Sequence, residues 1–184
     1  MRLSDAARRL LELLGDDAIL IGGLCGAVHV VERFTRDVDI AARCPPETIL
    51  KALREAGLRA DMRTSSDPGD LAWVIHGEIG DIPFQILPAR DTGLEQTRPE
   101  IHAGLRVPGM RDFIASKCRA GGQQDMHDVA ALCLLHPDLL PHARDEAERR
   151  GRLEALESWL ADERMLRRYG RARKREDTLN KPED

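Results

Sequence analysis

The feature that most constrains this chain is a short apolar run that stops at two adjacent glycines. The run extends from Ala18 to Ile21 and has the length of a buried strand rather than of a helix. After Gly22 and Gly23, apolar residues recur at helical spacing: Leu24, Ala27, Val28 and Val31. The segment therefore predicts a strand, a glycine turn and a helix, in that order.

Strands and helices continue to alternate through the first half of the chain. Periodicity predicts one helix over Leu3 to Leu14, with Ser4 or Asp5 as its cap, and another over Pro46 to Ala56. Apolar and β-branched runs predict four further strands: Val38–Ala42, Leu58–Arg63, Leu71–His76 and Ile82–Leu87. Gly77 to Asp81 has the length of a hairpin connector between the last two strands.

The second half of the chain carries a different pattern. After a short strand near Ile101 to Val107, Pro108-Gly109 introduces three or four helical segments that reach about Tyr169. This order predicts an α+β fold, with a small mixed β-sheet and flanking helices followed by a C-terminal helical segment. We expect a core over residues 1–107, a helical region packed on it over 108–169, and a charged flexible tail over 170–184.

Composition narrows the class of protein. Lys+Arg total 28 against 32 for Asp+Glu, and the resulting net charge of -4 argues against a general nucleic-acid binder. No apolar run approaches the ~20 residues of a membrane-spanning helix, and Met1 to Leu14 is too charged for a signal peptide, so we expect no membrane partner and a cytoplasmic protein. The cysteines lack zinc-site spacing and are expected to be reduced thiols, and no histidine is assigned a role.

Two aspartates stand at the start of the second predicted strand. Strand alternation places Asp37 and Asp39 on one face and Val38 and Ile40 on the other. Neighbouring carboxylates repel unless a cation lies between them, so the pair suits one or two Mg²⁺ ions that also bind phosphates. Glycines at a helix N-terminus favour a phosphate too. The alternative is that the glycines only end a strand and that Arg36 and Arg33 neutralise a solvent-facing edge.

These residues resemble a known signature. Ile21-Gly22-Gly23, followed by Arg33-x-Thr35-x-Asp37-x-Asp39, looks like the motif of the polymerase-β-like nucleotidyltransferase superfamily, and especially of AbiEii-type toxins and related minimal bacterial nucleotidyltransferases. In that superfamily the glycine turn, often Gly-Ser, holds the triphosphate and the Asp-x-Asp pair holds the metal ions. Gly23 stands here in place of the serine, so one hydroxyl contact is missing.

The resemblance implies a metal-dependent nucleotidyltransferase with Mg²⁺ or Mn²⁺ as cofactor and a nucleoside triphosphate (NTP) as substrate. It implies that Asp37 and Asp39 are catalytic and bind metal, and that Gly22, Gly23 and Thr35 bind the nucleotide. The acceptor hydroxyl stays open among the 3′ end of tRNA, a protein side chain and a small antibiotic. Because such proteins often act as toxins, the resemblance also implies a cognate antitoxin as partner.

A second match lies in the helical half. Val107 to Ala120 and Gln124 to Asp128 resemble the superfamily's lysine helix and the D-x-x-D turn that follows it. This match implies that Lys117 is catalytic and neutralises phosphate charge, with Asp125 also at the nucleotide. Periodicity places Lys117 on the apolar stripe of its helix, where a lysine needs an anionic partner. The alternative is a structural Lys117–Asp125 ion pair in which Asp125 is also an N-cap.

The match fails at one position. Two-metal nucleotidyl transfer normally uses a third carboxylate on a neighbouring strand to ready the acceptor hydroxyl. Gln85 takes that position, and a neutral amide cannot replace the charge. Asp81 has the same strand parity but lies four residues away, so it substitutes only if Pro83 bends the strand. The alternative function is therefore a catalytically impaired nucleotide-binding module that acts by protein interaction.

The last feature is a basic segment near the C-terminus. Seven positive charges and no acid occur between Arg164 and Arg175. The segment predicts a contact surface for an RNA (tRNA) acceptor. The alternative is a solvated helix end and tail, because Tyr169 is the only aromatic residue there for base stacking.

Overall fold

The computed structural model describes residues 1–29, 35–67 and 69–170 of the chain. The chain divides into two compact units, Met1–Phe113 and Ile114–Asp184. The described strands all lie in the first unit, and the described part of the second unit is helical. The α+β fold expected from the sequence is confirmed. The helical region packed on a core stays a prediction, and the predicted tail lies outside the described residues apart from Gly170.

A mixed sheet of five strands forms the centre of the first unit. Its strands are β1 (Ala18–Ile21), β2 (Val38–Ala42), β3 (Ala60–Thr64), β4 (Trp73–Ile79) and β5 (Ile82–Pro88), in the order β1-β2-β5-β4-β3. The β2–β5 pair is parallel, and the other neighbouring pairs are antiparallel. The parallel pair places two central strands side by side, although more than 40 residues of chain separate their starting points at Val38 and Ile82.

Helices of the first unit pack against this sheet. They are α1 (Leu3–Leu14), α2 (Gly22–His29), α3 (Pro46–Glu55) and the short α4 (Ala89–Thr92). Leu10 and Leu11 of α1 and Ile49 and Leu53 of α3 are buried, and both helices contact strands of the sheet. Burial of each such side chain stabilises the fold by roughly 1.5–3 kcal/mol.

Strand alternation divides the sheet into an apolar face and a polar face. The apolar face consists of buried side chains from the three central strands: Val38, Ile40, Ile75, Ile79, Phe84 and Ile86. The opposite face carries Asp39, His76 and Gln85, which are half-buried, and Glu78, which is exposed. An apolar cluster of Ala41, Ala89 and Leu94, with Ile21 packed against it, covers one end of this second face, and the part around Asp39, Gln85 and His76 is left for polar chemistry.

Gly77 allows the apolar face to close around Phe84. The two residues are direct partners across β4 and β5. A Cβ atom on Gly77 would lie 2.4 Å from Cζ of Phe84 and 2.7 Å from the carbonyl oxygen of Arg59, which is closer than any side chain tolerates. The glycine therefore makes room for the aromatic ring and helps to hold the register of these two strands.

Two hairpins differ from the sequence-based prediction. The connector predicted over Gly77 to Asp81 is wrong, because β4 continues to Ile79 and the turn is only Gly80-Asp81. The single strand predicted over Ile101 to Val107 is a hairpin of β6 (Glu100–His102) and β7 (Leu105–Val107). Its turn residues, Ala103 and Gly104, have φ angles of 50° and 78°, as in a type I′ turn.

The cap predicted for the first helix is also wrong. Ser4 and Asp5 lie inside α1, and the N-cap residue is Arg2, which makes no side-chain cap. Asp5 is instead paired with Arg2 at 2.9 Å and with Arg8 at 3.0 Å. The hydrogen bond from Arg2 lowers the pKa of Asp5, so the carboxylate stays charged beside the positive end of the helix.

The second unit contains the helices that the sequence predicts after Pro108-Gly109. They are α5 (Met110–Ala120), whose first residues belong to the first unit, α6 (Gln123–Leu135), α7 (Leu140–Arg149) and α8 (Leu153–Leu160). Residues 163–170 are also helical. Among the described residues, no helix is long and apolar enough to cross a membrane.

No disulfide links the four cysteines, as the sequence predicts. Cys25, Cys118 and Cys133 are buried. Burial raises the pKa of Cys118 to about 11 and that of Cys133 to about 12. These two thiols therefore stay protonated near neutral pH, and neither is a nucleophile there.

Candidate functional site

The two carboxylates of the predicted motif lie at the start of β2. Asp37 immediately precedes the strand and Asp39 is its second residue, so their Cα atoms are about 7 Å apart along an extended chain. The Thr35 hydroxyl donates a hydrogen bond of 2.7 Å to Oδ1 of Asp37. This bond orients the Asp37 carboxylate, which gives Thr35 a positioning contact within the motif.

Gly22 brings the first turn of α2 against Asp39. Ile21, the last residue of β1, is the direct partner of Asp39, and Gly22 follows it as the first residue of the helix. A Cβ atom on Gly22 would lie 1.9 Å from Oδ2 and 2.7 Å from Cγ of Asp39. The φ angle of Gly22 is +66°, which other residues rarely adopt. Only glycine fits this position, for both reasons.

The N-terminus of α2 can bind an anion in addition to the Asp39 carboxylate that lies beside it. Backbone N–H groups in the first turn of a helix have no carbonyl partner within the helix, and the helix dipole adds positive potential there. Gly23, the second residue of α2, is buried, and neither glycine carries a side chain at this helix end. The Asp39 carboxylate and the helix N-terminus thus form one polar corner of the sheet.

Gln85 lies directly beside Asp39. The two residues are partners in the parallel β2–β5 pair, and both are half-buried on the polar face. Adjacent strands are about 4.8 Å apart, so a carboxylate at position 85 would lie near enough to Asp39 to bind the same cation. The amide that stands there carries no charge and does not accept a proton at neutral pH.

Asp81 does not replace the missing carboxylate. It lies in the two-residue turn between β4 and β5, and it is exposed. Pro83 keeps regular register with Glu78 and leaves β5 continuous, so the bend that the substitution requires does not occur. Four residues of extended strand put Asp81 roughly 13 Å from Gln85.

The polar face continues past Gln85 as a row of side chains across four strands. Asp39 pairs with Gln85, Gln85 pairs with His76, and His76 pairs with Asp61 on β3. A groove of about 720 Å³ lies along this face, and its charged or titratable lining residues are Asp37, Arg59, Asp61, His76 and Glu78. Acidic residues therefore outnumber basic ones along the groove.

Sequence reasoning missed His76, Asp61 and Glu78. Spacing alone gives none of them a partner, because their neighbours in the row come from other strands. The two-residue turn at Gly80-Asp81 is the signal that could have revealed His76 and Glu78. That turn fixes the β4–β5 register and hence sets His76 opposite Gln85.

The donor atoms of the corner fit a Mg²⁺ ion that brings its other ligands with it. Mg²⁺ is commonly held by one or two carboxylates, with waters and substrate phosphates completing an octahedron. Asp37 and Asp39 supply two such carboxylates from one strand end. Among the described residues, no three or more His, Cys, Asp or Glu side chains form a cluster that could hold a metal ion. These side chains therefore do not complete a metal site without ligands from water or phosphate.

The predicted Lys117–Asp125 pair exists within the second unit. Lys117 Nζ lies 2.7 Å from Oδ1 of Asp125, and the lysine side chain is only 9% exposed. The Oδ2 atom of Asp125 accepts a hydrogen bond of 3.1 Å from the backbone N–H of Gly122. Gly122 is the N-cap of α6 and Asp125 is its third residue, so the prediction of Asp125 as N-cap is wrong although its carboxylate does close the helix end.

A second carboxylate completes this cluster. Asp128 Oδ2 lies 3.2 Å from Lys117 Nζ, and the Asp128 side chain is 6% exposed. Gln124 also donates a hydrogen bond of 3.2 Å to Oδ1 of Asp128. Two carboxylates thus surround one ammonium group, and the pairing favours the structural interpretation of Lys117. Helical spacing could have revealed Asp128, which is three residues after Asp125 on the same helix face.

The basic segment is partly neutralised where it is described. Arg164 pairs with Asp162 at 3.5 Å, and Arg167 pairs with Glu163 at 2.6 Å. Both acids immediately precede the segment in sequence. Residues 171–175, which hold the other basic side chains after Arg168, lie outside the described residues.

Comparison with known proteins identifies the fold. No protein-family model and no curated protein matches the sequence. Solved structures do match: ANT(2″)-Ia in complex with adenylyl-2″-tobramycin has a TM-score of 0.53 and 16% identity over 79% of this chain and 97% of that chain. The solution structure of the antibiotic-resistance factor ANT(2″)-Ia has a TM-score of 0.52 and 16% identity over 84% of this chain and 96% of that chain. JHP933 from Helicobacter pylori has a TM-score of 0.51 and 14% identity over 97% of both chains.

The chain has a nucleotidyltransferase-like fold. At this level of identity the likeness concerns the architecture alone. The AbiEii-type resemblance, the site residues and the acceptor stay predictions. The sheet nevertheless brings Ile21, Gly22 and Asp39 of the predicted motif to one corner, while Arg33 lies outside the described residues.

We expect Gly22→Ala to disrupt this corner more than Gly57→Ala, which is the control in the same unit. Both glycines have positive φ angles, +66° and +72°, but a Cβ atom on Gly57 meets nothing within 4 Å. Each alanine costs about 1–2 kcal/mol of backbone strain. Only Gly22→Ala must also displace Asp39, which adds about 1–3 kcal/mol. Urea unfolding measures both losses, and equal losses would contradict the close approach.

We expect Lys117→Met to lower the free energy of unfolding by about 3–5 kcal/mol, because it leaves the buried Asp128 carboxylate and the half-buried Asp125 carboxylate without their cation. Lys51→Met is the control, because Lys51 is 74% exposed and 3.9 Å from Glu55, and it should change stability by less than about 0.5 kcal/mol. A loss below about 1 kcal/mol in Lys117→Met would contradict the ion cluster.

Nucleotide affinity of the folded Lys117→Met protein then tests the phosphate role of Lys117. A lower affinity supports that role, and an unchanged affinity leaves Lys117 purely structural.

Proposed function

We propose that this protein is a Mg²⁺-dependent nucleotidyltransferase that moves a nucleoside monophosphate from an NTP to an acceptor hydroxyl. The observation that carries the proposal is the contact between the Asp39 carboxylate and Gly22 at the start of α2, with Asp37 two residues before Asp39. A carboxylate pair for the cation and a helix N-terminus for phosphate oxygens meet there. The nucleotidyltransferase-like fold supports the same assignment.

Each residue of the corner then has a distinct task. Asp37 and Asp39 hold the cation, and Thr35 orients Asp37 through its hydroxyl. Gly22 and Gly23 let the phosphate oxygens approach the first N–H groups of α2. When bound, Mg²⁺ neutralises the negative charge that builds up on the phosphate oxygens. An acceptor oxygen attacks the α-phosphorus, and pyrophosphate leaves with the bonding electron pair.

The groove beside the corner supports a small cationic acceptor. Asp61 and Glu78 line it together with Asp37, whereas Arg59 is its one basic lining residue among those described. An acidic surface attracts amine-bearing hydroxyl compounds and repels the phosphates of RNA. ANT(2″)-Ia is a relative in fold whose structure contains adenylyl-2″-tobramycin. The tRNA acceptor and the toxin with its antitoxin have only the resemblance and the partly neutralised basic segment to support them.

One observation favours a second candidate function. Gln85 occupies the place beside Asp39 where a third carboxylate would lie, and Asp81 is too distant to serve. A corner with two carboxylates can still bind a nucleotide and a cation without readying an acceptor. The second candidate is therefore a nucleotide-binding module that acts through a protein partner.

Transfer of radioactive label separates the two functions. The wild-type protein is incubated with each α-³²P-labelled NTP, Mg²⁺ or Mn²⁺, and one of three acceptors: tobramycin, total tRNA or cell-extract protein. We expect Asp39→Asn to lose at least ~100-fold of the label transferred by the wild type, since residues that only support a metal ligand already contribute about 10- to 100-fold.

Asp16→Asn is the matched control, because Asp16 is a fully exposed carboxylate of the same unit. It should transfer label as the wild type does. Absence of transfer by the wild type with every acceptor, together with nucleotide binding by calorimetry, would contradict the enzyme and support the binding module. Label on tRNA but not on tobramycin would contradict only the cationic acceptor and would leave the proposed nucleotidyl transfer standing.

A further inference from the structure

We propose that His76 is the general base that takes the proton of the acceptor hydroxyl, a role that Gln85 cannot fill. The inference rests on the proposed nucleotidyl transfer and deepens it by naming a catalytic residue outside the recognised motif. It starts from one juxtaposition: His76 is the direct partner of Gln85 on the side away from Asp39.

The register of three strands defines the distances. Side chains that oppose each other in an antiparallel pair have Cβ atoms about 4.5–5.5 Å apart and share one face of the sheet. The imidazole of His76 therefore flanks the Gln85 amide, and both line the same groove. Asp39 lies two strand spacings, about 10 Å, from His76, which leaves room for a substrate between the metal-binding corner and the imidazole.

The other acidic or basic side chains of the groove are placed less well. Asp37 and Asp39 are the cation-holding pair of the proposed mechanism. Glu78 opposes Pro83 rather than Gln85, and Asp61 lies beyond His76 on β3. Among the described groups of this row, and apart from the cation-holding Asp39, the imidazole is the one that can accept a proton and that also adjoins the position of the missing acid.

The step can be written with every atom accounted for. An acceptor hydroxyl lies between His76 and the α-phosphorus of the NTP. A ring nitrogen of His76 takes the hydroxyl proton while the acceptor oxygen forms a bond to the α-phosphorus. The bond from the α-phosphorus to the bridging oxygen breaks, and pyrophosphate leaves with that electron pair. The imidazolium then returns its proton to solvent. Gln85 is left free to hydrogen-bond to the acceptor rather than to ionise.

The test uses the 184-residue chain, each α-³²P-labelled NTP including ATP, Mg²⁺, and the same panel of tobramycin, total tRNA and cell-extract protein. We expect His76→Ala to lower label transfer about 100- to 10,000-fold, the usual contribution of a positioned base, with ATP affinity by calorimetry unchanged. Added imidazole should restore part of the transfer by His76→Ala. His102→Ala is the control, because His102 is a half-buried histidine of the same unit that is paired with Glu100 and does not line the groove.

A second comparison, made in the Gln85→Asp variant, distinguishes the loss of a base from a loss of folding. Gln85→Asp puts a carboxylate where the third acid normally lies, so His76→Ala should cost much less transfer in that background than in the wild type. If His76→Ala transfers label as well as the wild type, or if imidazole restores nothing while ATP affinity is unchanged, His76 is not the base and nucleotidyl transfer stands. If neither the wild type nor His102→Ala transfers label, the proposed function fails, and the role of His76 fails with it.

Discussion

The contact between Asp39 and Gly22 is the constraint on which the candidate site depends. It exists because β1 and β2 pair with Ile21 opposite Asp39, so the chain must turn into α2 directly against a carboxylate. No side chain fits at position 22, and no other residue adopts its backbone conformation as readily. One steric requirement therefore joins the helix end that we propose binds phosphate to the strand end that we propose binds the cation.

The same register that stabilises the sheet also assembles the site. Side chains alternate between faces, so a one-residue slip of β5 would move Phe84 and Ile86 out of the core and turn Gln85 into it. Gly77, which accommodates the Phe84 ring, helps to prevent that slip. The row from Asp39 through Gln85 to His76 is thus fixed by apolar packing on the opposite face, and no loop is needed to position it.

The sequence predicted the parts of the site that depend on short-range pattern. Strand parity placed Asp37 and Asp39 together, and helical periodicity gave Lys117 its partner Asp125. Residues whose neighbours come from other strands could not be found in this way. The position of His76 beside Gln85 follows only from the strand order β2-β5-β4. Its spacing and neighbours in the sequence do not distinguish it from the other histidines.

Long-range pairing also decided which sequence alternatives survived. The predicted rescue by Asp81 required a bend at Pro83, and the regular β4–β5 pairing excludes that bend.

Paramagnetic broadening by Mn²⁺ tests the central claim most directly, because it locates the cation without requiring turnover. With ATP present, the account predicts that Mn²⁺ broadens the amide signals of Gly22, Gly23 and Asp39 in the wild type and spares them in Asp39→Asn. Broadening confined to another acidic region, or equal in both proteins, would contradict a cation site at this corner.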